Sequence, residues 1–335
     1  MIKQLPVVKP YISAYKHHAL PLSILSYYEE NESWICNHYL QLYQRFDFNE
    51  NVHWLDFYLF DEIPIRSSTI PWLDHTQTIH IDYLKRPIHE FLIDVIDQGS
   101  FIYVIHDDYY MPHSFSYNQG HFKNNLLITG YDLDKQCFYV YDYANTTRGQ
   151  LQVNEVPFRL MEKSIASEHA WNVLTLFTYQ SDYRHQLQLE LAYRLLQDYV
   201  TSSNSSQDLL LIRDPPEKRA FGISVYEQIK RFLHGHSDLI NTLHLPFYVF
   251  HEHKASVGKL MDNLINKYDN PEIRRLRAEY ESVIRDAGFM KTIILKYMLK
   301  PDFDIAKSII PILDSMKLSE ERVITSLCEE IQKIS

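Results

Sequence analysis

The stretch Gly120–Asn145, GHFKNNLLITGYDLDKQCFYVYDYAN, decides how this chain is read. It holds two apolar runs, Leu126–Thr129 and Cys137–Tyr141, with the turn-forming cluster Gly130–Lys135 between them. Both runs are rich in aromatic, β-branched and leucine residues, which predicts the two strands of an antiparallel hairpin. His121 lies at the entry of the first strand and Asp142 at the exit of the second. Antiparallel pairing brings such ends together, so this imidazole and this carboxylate are expected to be neighbours. Asp142 would then fix the tautomer of His121 and stabilise its charged form, the orienting half of a nucleophile–His–Asp triad.

The rest of the composition narrows the class. The chain has 335 residues, of which 45% are hydrophobic, enough for one large domain or two modest ones. With a net charge of −10 and no Lys/Arg-rich run, a nucleic-acid partner is not expected. Only 8 glycines are present and neither common Gly-rich phosphate loop occurs. The N-terminus MIKQLPVVKPYISAYKHH lacks the apolar core of a signal peptide, and no stretch has the length of a membrane span. The three cysteines, Cys36, Cys137 and Cys328, are odd in number and widely spaced, which suggests neither a disulfide framework nor a zinc knuckle. A cytoplasmic protein without membrane contact is the expectation.

Taken in order, the chain predicts an α+β domain over 1–182 and a helical domain over 183–335. A first helix is expected to start near Ala19, with Pro21 in its first turn, and a second over 31–46. Strands are expected at Leu55–Phe60, Phe101–Ile105 and Trp171–Phe177, with an irregular stretch through Pro64 and Pro71 and a helix at Pro87–Gln98. Beyond residue 182 helical periods dominate, interrupted by a stop at Asp214-Pro215-Pro216.

A His and an Asp borne on strands, in that order, occur in papain-like cysteine enzymes. Their nucleophile is a cysteine at the N-terminus of an upstream helix, where the partial positive charge of the helix end favours the thiolate. Two places are open for it here: position 19, at the expected helix start, and Cys36, inside the second helix. Cys36 lies among Trp34, Ile35 and Tyr39, the setting of an inert buried thiol.

The series His17-His18-Ala19-Leu20-Pro21, Asp108-Tyr109-Tyr110-Met111-Pro112, His121, Gly130-Tyr131-Asp132 and Tyr139-Val140-Tyr141-Asp142 resembles the N-terminal region of the butirosin biosynthesis protein H family. The resemblance covers about residues 15–145. It implies a papain-like (transglutaminase/C39-like) cysteine-protease fold with an additional, mostly helical C-terminal region. It also implies an acyltransferase or amide synthase of thiotemplated antibiotic biosynthesis. Such an enzyme moves an acyl or peptidyl chain from the phosphopantetheine thioester of a carrier protein to an amine. Its sharpest version is the closthioamide-type amide synthetase branch, with a diamine as acceptor.

The family's cysteine falls on Ala19, which departs from the pattern. Either the nucleophile has been replaced, or it is naturally lost and a binding or scaffold protein remains. With cysteine at 19, the resemblance implies a triad of position 19, His121 and Asp142. The thiolate would attack the thioester, and His121 would then deprotonate the incoming amine. His18, Asp108, Tyr109, Tyr110 and Tyr117 are the expected substrate-contacting residues, the tyrosines forming a wall against water. No cofactor beyond the carrier's own arm and no metal site is expected; Asp107 and Asp108 could bind a metal or an amine, but are read as a solvated loop pair. Water as acceptor would make a cysteine hydrolase instead, a peptidase or thioesterase.

Overall fold

A computed structural model gives the structure of the chain, and it describes residues 1–28, 31–45, 54–59, 70–73, 77–144, 150–207, 219–235, 242–300 and 303–334. The stop expected at Asp214-Pro215-Pro216 and the irregular stretch around Pro64 lie outside the described residues. The protein is α+β, with antiparallel sheets and a helical C-terminal region. It divides into two compact units: Met1–Glu29 with Ile63–Arg184, and Glu30–Glu62 with His185–Ser335. The expected first domain, 1–182, therefore loses residues 30–62. The reason lies in strand pairing: β2 (Leu42–Arg45) pairs with β3 (Trp54–Phe57) and with β10 (Arg219–Phe221), whose partners are all in the second unit. The helix expected over 31–46 is correspondingly short, α2 at Glu32–His38, because the chain turns at Tyr39 and becomes β2.

The first unit is built on a sheet of order β4-β9-β5-β6-β7-β8, with β1 also pairing β6. The strands are β1 (Ile2–Gln4), β4 (Gln77–His80), β5 (Ser100–Asp107), β6 (Lys123–Asp132), β7 (Cys137–Ala144), β8 (Gln150–Pro157) and β9 (Val173–Thr178). The hairpin expected from the sequence is β6–β7, longer at both ends than the two apolar runs. Its register sets Leu127 against Tyr141 and Ile128 against Val140, then shifts before Gly130. Glycine is required at that shift, because a Cβ at 130 would stand 2.3 Å from the Lys3 carbonyl oxygen of β1.

One face of the sheet carries Ile102 and Val104 of β5, Leu126 and Ile128 of β6, Phe138 and Val140 of β7, and Leu174 and Leu176 of β9. The pleat puts every second residue on that face. Helices α3 (Ile88–Asp97) and α4 (Phe158–Ile165) cover it with Leu92, Val95, Ile96, Met161 and Ile165. Each of these fully buried aliphatic side chains contributes about 1.5–3 kcal/mol. Gly99, at φ +84°, follows the end of α3 in the left-handed conformation that glycine adopts at no steric cost. The first helix, α1, spans Lys16–Leu25. It starts three residues before the expected Ala19, so Pro21 sits inside it and position 19 lies within its body.

The second unit holds α2, the three-stranded sheet β10-β2-β3, and helices α5 (Leu189–Thr201), α6 (Val225–Gly235), α7 (His244–Tyr268), α8 (Pro271–Leu299) and α9 (Phe303–Ile334). Pro271 at the first turn of α8 and the Asn270 side chain, which accepts from the Glu272 and Ile273 amides, define that helix start. Among its buried side chains is the ion pair Lys254–Glu320, at 2.8 Å and without solvent contact. Among the described residues no helix is long and apolar enough to cross a membrane.

Candidate functional site

The polar end of the first unit's core face is where the charged residues gather. Following Ile102 and Val104 along β5 by twos leads to His106, and following Ile128 and Leu126 back along β6 leads to Asn124. His106 and Asn124 are direct cross-strand partners. The same step on β7, from Phe138 and Val140, leads to Asp142. After Asp107 the chain makes a short 3-10 turn, Asp108–Tyr110, opened by the Asp107 side chain accepting from the Tyr109 amide at 3.1 Å. That turn places Asp108 beside His106 and Asn124.

Two carboxylates define the place. Asp108 is 4% exposed and accepts from Asn124 Nδ2 at 2.8 Å, while His106 Nε2 stands 2.9 Å from its other oxygen. Burial pushes its carboxyl up, but the hydrogen bond and charge of His106, then Lys16 and Asn124, outweigh this and hold it down at about 2. Asp142 is 1% exposed, with Lys16 Nζ at 2.5 Å from Oδ1 and His113 Nε2 at 3.1 Å from Oδ2. Burial opposes its ionisation, yet the Lys16 charge and the His113 hydrogen bond pull its carboxyl below the ordinary value. Both groups are therefore ionised at neutral pH. They open on a pocket of about 370 Å³ lined also by Lys16, Asn124, Ser114, Ser116 and Ala144, with Phe115, Phe122 and Tyr143 supplying aromatic surface.

A second cluster surrounds His121. Its Nδ1 lies 2.7 Å from Oδ2 of Asp107, a carboxylate with no solvent exposure. Asp107 also accepts from Ser167 Oγ at 2.7 Å. Burial pushes the Asp107 carboxyl up, and the hydrogen bonds from Ser167, His121 and the Tyr109 amide more than offset it, leaving it below the ordinary value. The His121 ring is stacked between Tyr109 and His169, at centroid distances of 4.5 Å and 4.2 Å. A carboxylate on Nδ1 leaves Nε2 with the lone pair, and this side chain is 41% exposed.

The expected triad is thus redistributed. His121 pairs with Asp107 and not with Asp142, because the hairpin register stands Asp142 level with Leu126. His121 lies five residues further on, about 16 Å of extended chain. Ala19 has no exposed surface, since α1 begins at Lys16 and the residue that faces the pocket from this helix is Lys16 itself. His18 is also buried in α1. Tyr109 and Tyr110 gather around His121, Tyr117 is half-buried in the following loop, and the pocket's aromatic walls come from Phe115, Phe122 and Tyr143 in their place. Asp107 and Asp108 are no solvated pair, being 0% and 4% exposed, because each is enclosed by its own hydrogen-bond partners. Cys36 is buried in α2 and burial pushes its thiol up to about 12; Cys328 is likewise at about 12, and burial raises Cys137 too. No thiol of this chain is poised to attack.

Lys16, His106, His113 and Asn124 carry the site and were absent from the sequence reading. Strand parity, counted outward from the apolar positions, would have found His106 and Asn124. Comparison with protein-family models and with curated proteins gives no match.

Proposed function

We propose that this chain is a binding protein related to the papain-like, thioester-handling enzymes, which receives the acyl end of a carrier-borne phosphopantetheine thioester without forming a covalent intermediate. The observation that carries this reading is the identity of the residues around the pocket. In the papain-like arrangement a helix N-terminus, one strand and a neighbouring strand supply nucleophile, histidine and carboxylate. Here the first residue of α1 is Lys16, the β6 position is Asn124 and the β7 position is Asp142, and all three line one pocket. Asparagine offers no general base, and the lysine is engaged by the carboxylate.

What remains is recognition chemistry. Lys16 and the first turn of α1 present positive charge to a carbonyl oxygen. Ser114, Ser116 and Asn124 offer hydrogen bonds, and Phe115 and Phe122 offer aromatic surface to an acyl chain. Work with an acyl or peptidyl carrier protein in thiotemplated antibiotic assembly, in the cytoplasm, is the setting that the sequence resemblance suggests.

One observation favours a second reading, the amide synthase itself. Asp107–His121 is an oriented carboxylate–imidazole pair on a histidine side chain that is 41% exposed, the form of a general base. It would deprotonate an amine acceptor, a diamine included, attacking the thioester directly. A synthetic acyl-phosphopantetheine separates the readings. The binding protein takes it up with the thioester intact, and Lys16→Glu abolishes uptake. Release of thiol with an amine present, lost in His121→Ala, would overturn the binding reading in favour of acyl transfer. Free acid without amide would point to hydrolysis.

A further inference from the structure

Asp108 and Asp142 of the pocket, with two histidines packed beside them, make a donor set that thioester binding does not use. His106, Asp108 and Asp142 bring one donor atom each within 4.8 Å of one another, all three residues being buried. His113 Nε2, 3.1 Å from Asp142 Oδ2, stands beside this set on its Asp142 side. Donors on a tetrahedral zinc ion, bound at about 2.0–2.1 Å, stand roughly 3.3 Å apart. The two observed His–Asp separations, 2.9 Å and 3.1 Å, are already at that scale.

We propose that His106, His113, Asp108 and Asp142 form a binding site for a divalent transition-metal ion, with zinc as the fitting chemistry. Three further features bear on this. Each carboxylate keeps one oxygen for the ion while its other oxygen is held by a donor: Asn124 Nδ2 on Asp108, and Lys16 Nζ on Asp142. Such outer contacts orient metal-binding carboxylates. The charge balance also favours a cation once the imidazole protons are displaced, since two ionised carboxylates then face one ammonium. Finally, Nδ1 of His106 and Nδ1 of His113 are buried without a hydrogen-bond partner. Each Nε2 now donates its proton to the carboxylate it faces, and an ion taking the place of that proton would send it to Nδ1, where no other donor stands in the way. Two imidazoles and two carboxylates form a borderline donor set that suits zinc and its first-row neighbours better than calcium or magnesium. Lys16 is the rival cation, and its ammonium weakens the site without blocking Asp142 Oδ2.

This inference rests on the pocket being open to solutes, and its test separates it from thioester binding. The metal-free full-length chain is titrated with Co²⁺ while visible absorption is recorded. The expected result is the intense spectrum of four-coordinate cobalt, saturating at one equivalent and erased by one equivalent of Zn²⁺. His113→Gln should weaken Co²⁺ binding at least tenfold, and Lys16→Met should tighten it. Only the faint six-coordinate spectrum, or full retention of the bands in His113→Gln and Asp108→Asn, overturns the proposal. Should the variants fail to fold, the intensity and stoichiometry in the unsubstituted chain decide alone. If acyl-phosphopantetheine binds and Co²⁺ does not, the metal site falls while the pocket reading stands. If Co²⁺ gives the four-coordinate spectrum and the thioester does not bind, the metal site stands and the reading of the pocket as a thioester site falls.

Discussion

Replacing Asp142 by asparagine tests whether the polar end of the sheet is organised as described. The carboxylate holds Lys16 Nζ at 2.5 Å, His113 Nε2 at 3.1 Å and the Tyr143 amide at 2.7 Å. Asparagine keeps one acceptor oxygen for the amide and loses the charge that Lys16 requires. A hydrogen bond to a charged group contributes about 1.5–3 kcal/mol, and stranding one member of a sealed ion pair costs about 3–5 kcal/mol. Lys16 is 14% exposed and lines the pocket, so water recovers part of its solvation. The expected destabilisation is therefore about 2–3 kcal/mol, below the sealed-pair range.

The assay is urea unfolding at neutral pH for Asp142→Asn, Lys16→Met and the double variant. Because the double variant removes the stranded charge, it should be more stable than the sum of single effects by at least about 1 kcal/mol. The pH dependence has a definite sign. A carboxyl whose native pKa lies below its unfolded value contributes stability that is full above about pH 4 and is lost as pH falls through the native value. Asp142 has such a depressed carboxyl, so the Asn variant should lack this part of the acid loss. Additive single effects, or an acid limb identical in both proteins, would refute the pairing.

Glu320→Gln should change how stability responds to alkali. Glu320 accepts from Lys254 Nζ and from the hydroxyls of Tyr199, Tyr226 and Tyr280, at 2.8, 2.8, 2.6 and 2.6 Å. Burial pulls Lys254 down to about 8, and Glu320 keeps it from falling further. Without that charge burial lowers the folded lysine further, whereas an unfolded lysine holds its proton to about 10.4. The unfolded state then binds more protons, so stability of the variant rises between pH 7 and 8 at up to about 1.4 kcal/mol per unit. The parent shows this rise only above its native value, so equal slopes in calorimetry at pH 7 and 8 would count against the network. Gly130→Ala should lower stability by about 1–3 kcal/mol in urea unfolding, because its Cβ meets the β1 backbone; a neutral effect would mean that β1 does not pair there. Ala19→Cys should react with a maleimide no faster than the parent chain, as position 19 is sealed; rapid labelling would reopen the nucleophile reading.

The hairpin was legible because its apolar runs alternate and its turn is rich in turn formers. The start of α1 was misplaced because Pro21 reads as a first-turn residue, although here it lies in the helix body. That error put Ala19 at the helix mouth in place of Lys16. β2 was hidden because Leu42 and Tyr43 fit a helical period, and its strand character comes from β3 and the three-residue β10, distant in sequence. The partner of His121 could not be read from the hairpin, since the path of the loop between β5 and β6 returns it to Asp107. A short-range loop decision of that kind leaves no periodic signal.

The pocket at Lys16, Asn124 and Asp142 is the proposed place of thioester binding. Side-chain amide and backbone NMR of the isotope-labelled chain, titrated with acyl-phosphopantetheine, tests it most directly. The expected result is shifts in the Asn124 amide and at Ser114, Ser116 and Tyr143, with the thioester intact throughout. Shifts confined to His121, Tyr109 and His169, with consumption of the thioester, would contradict it.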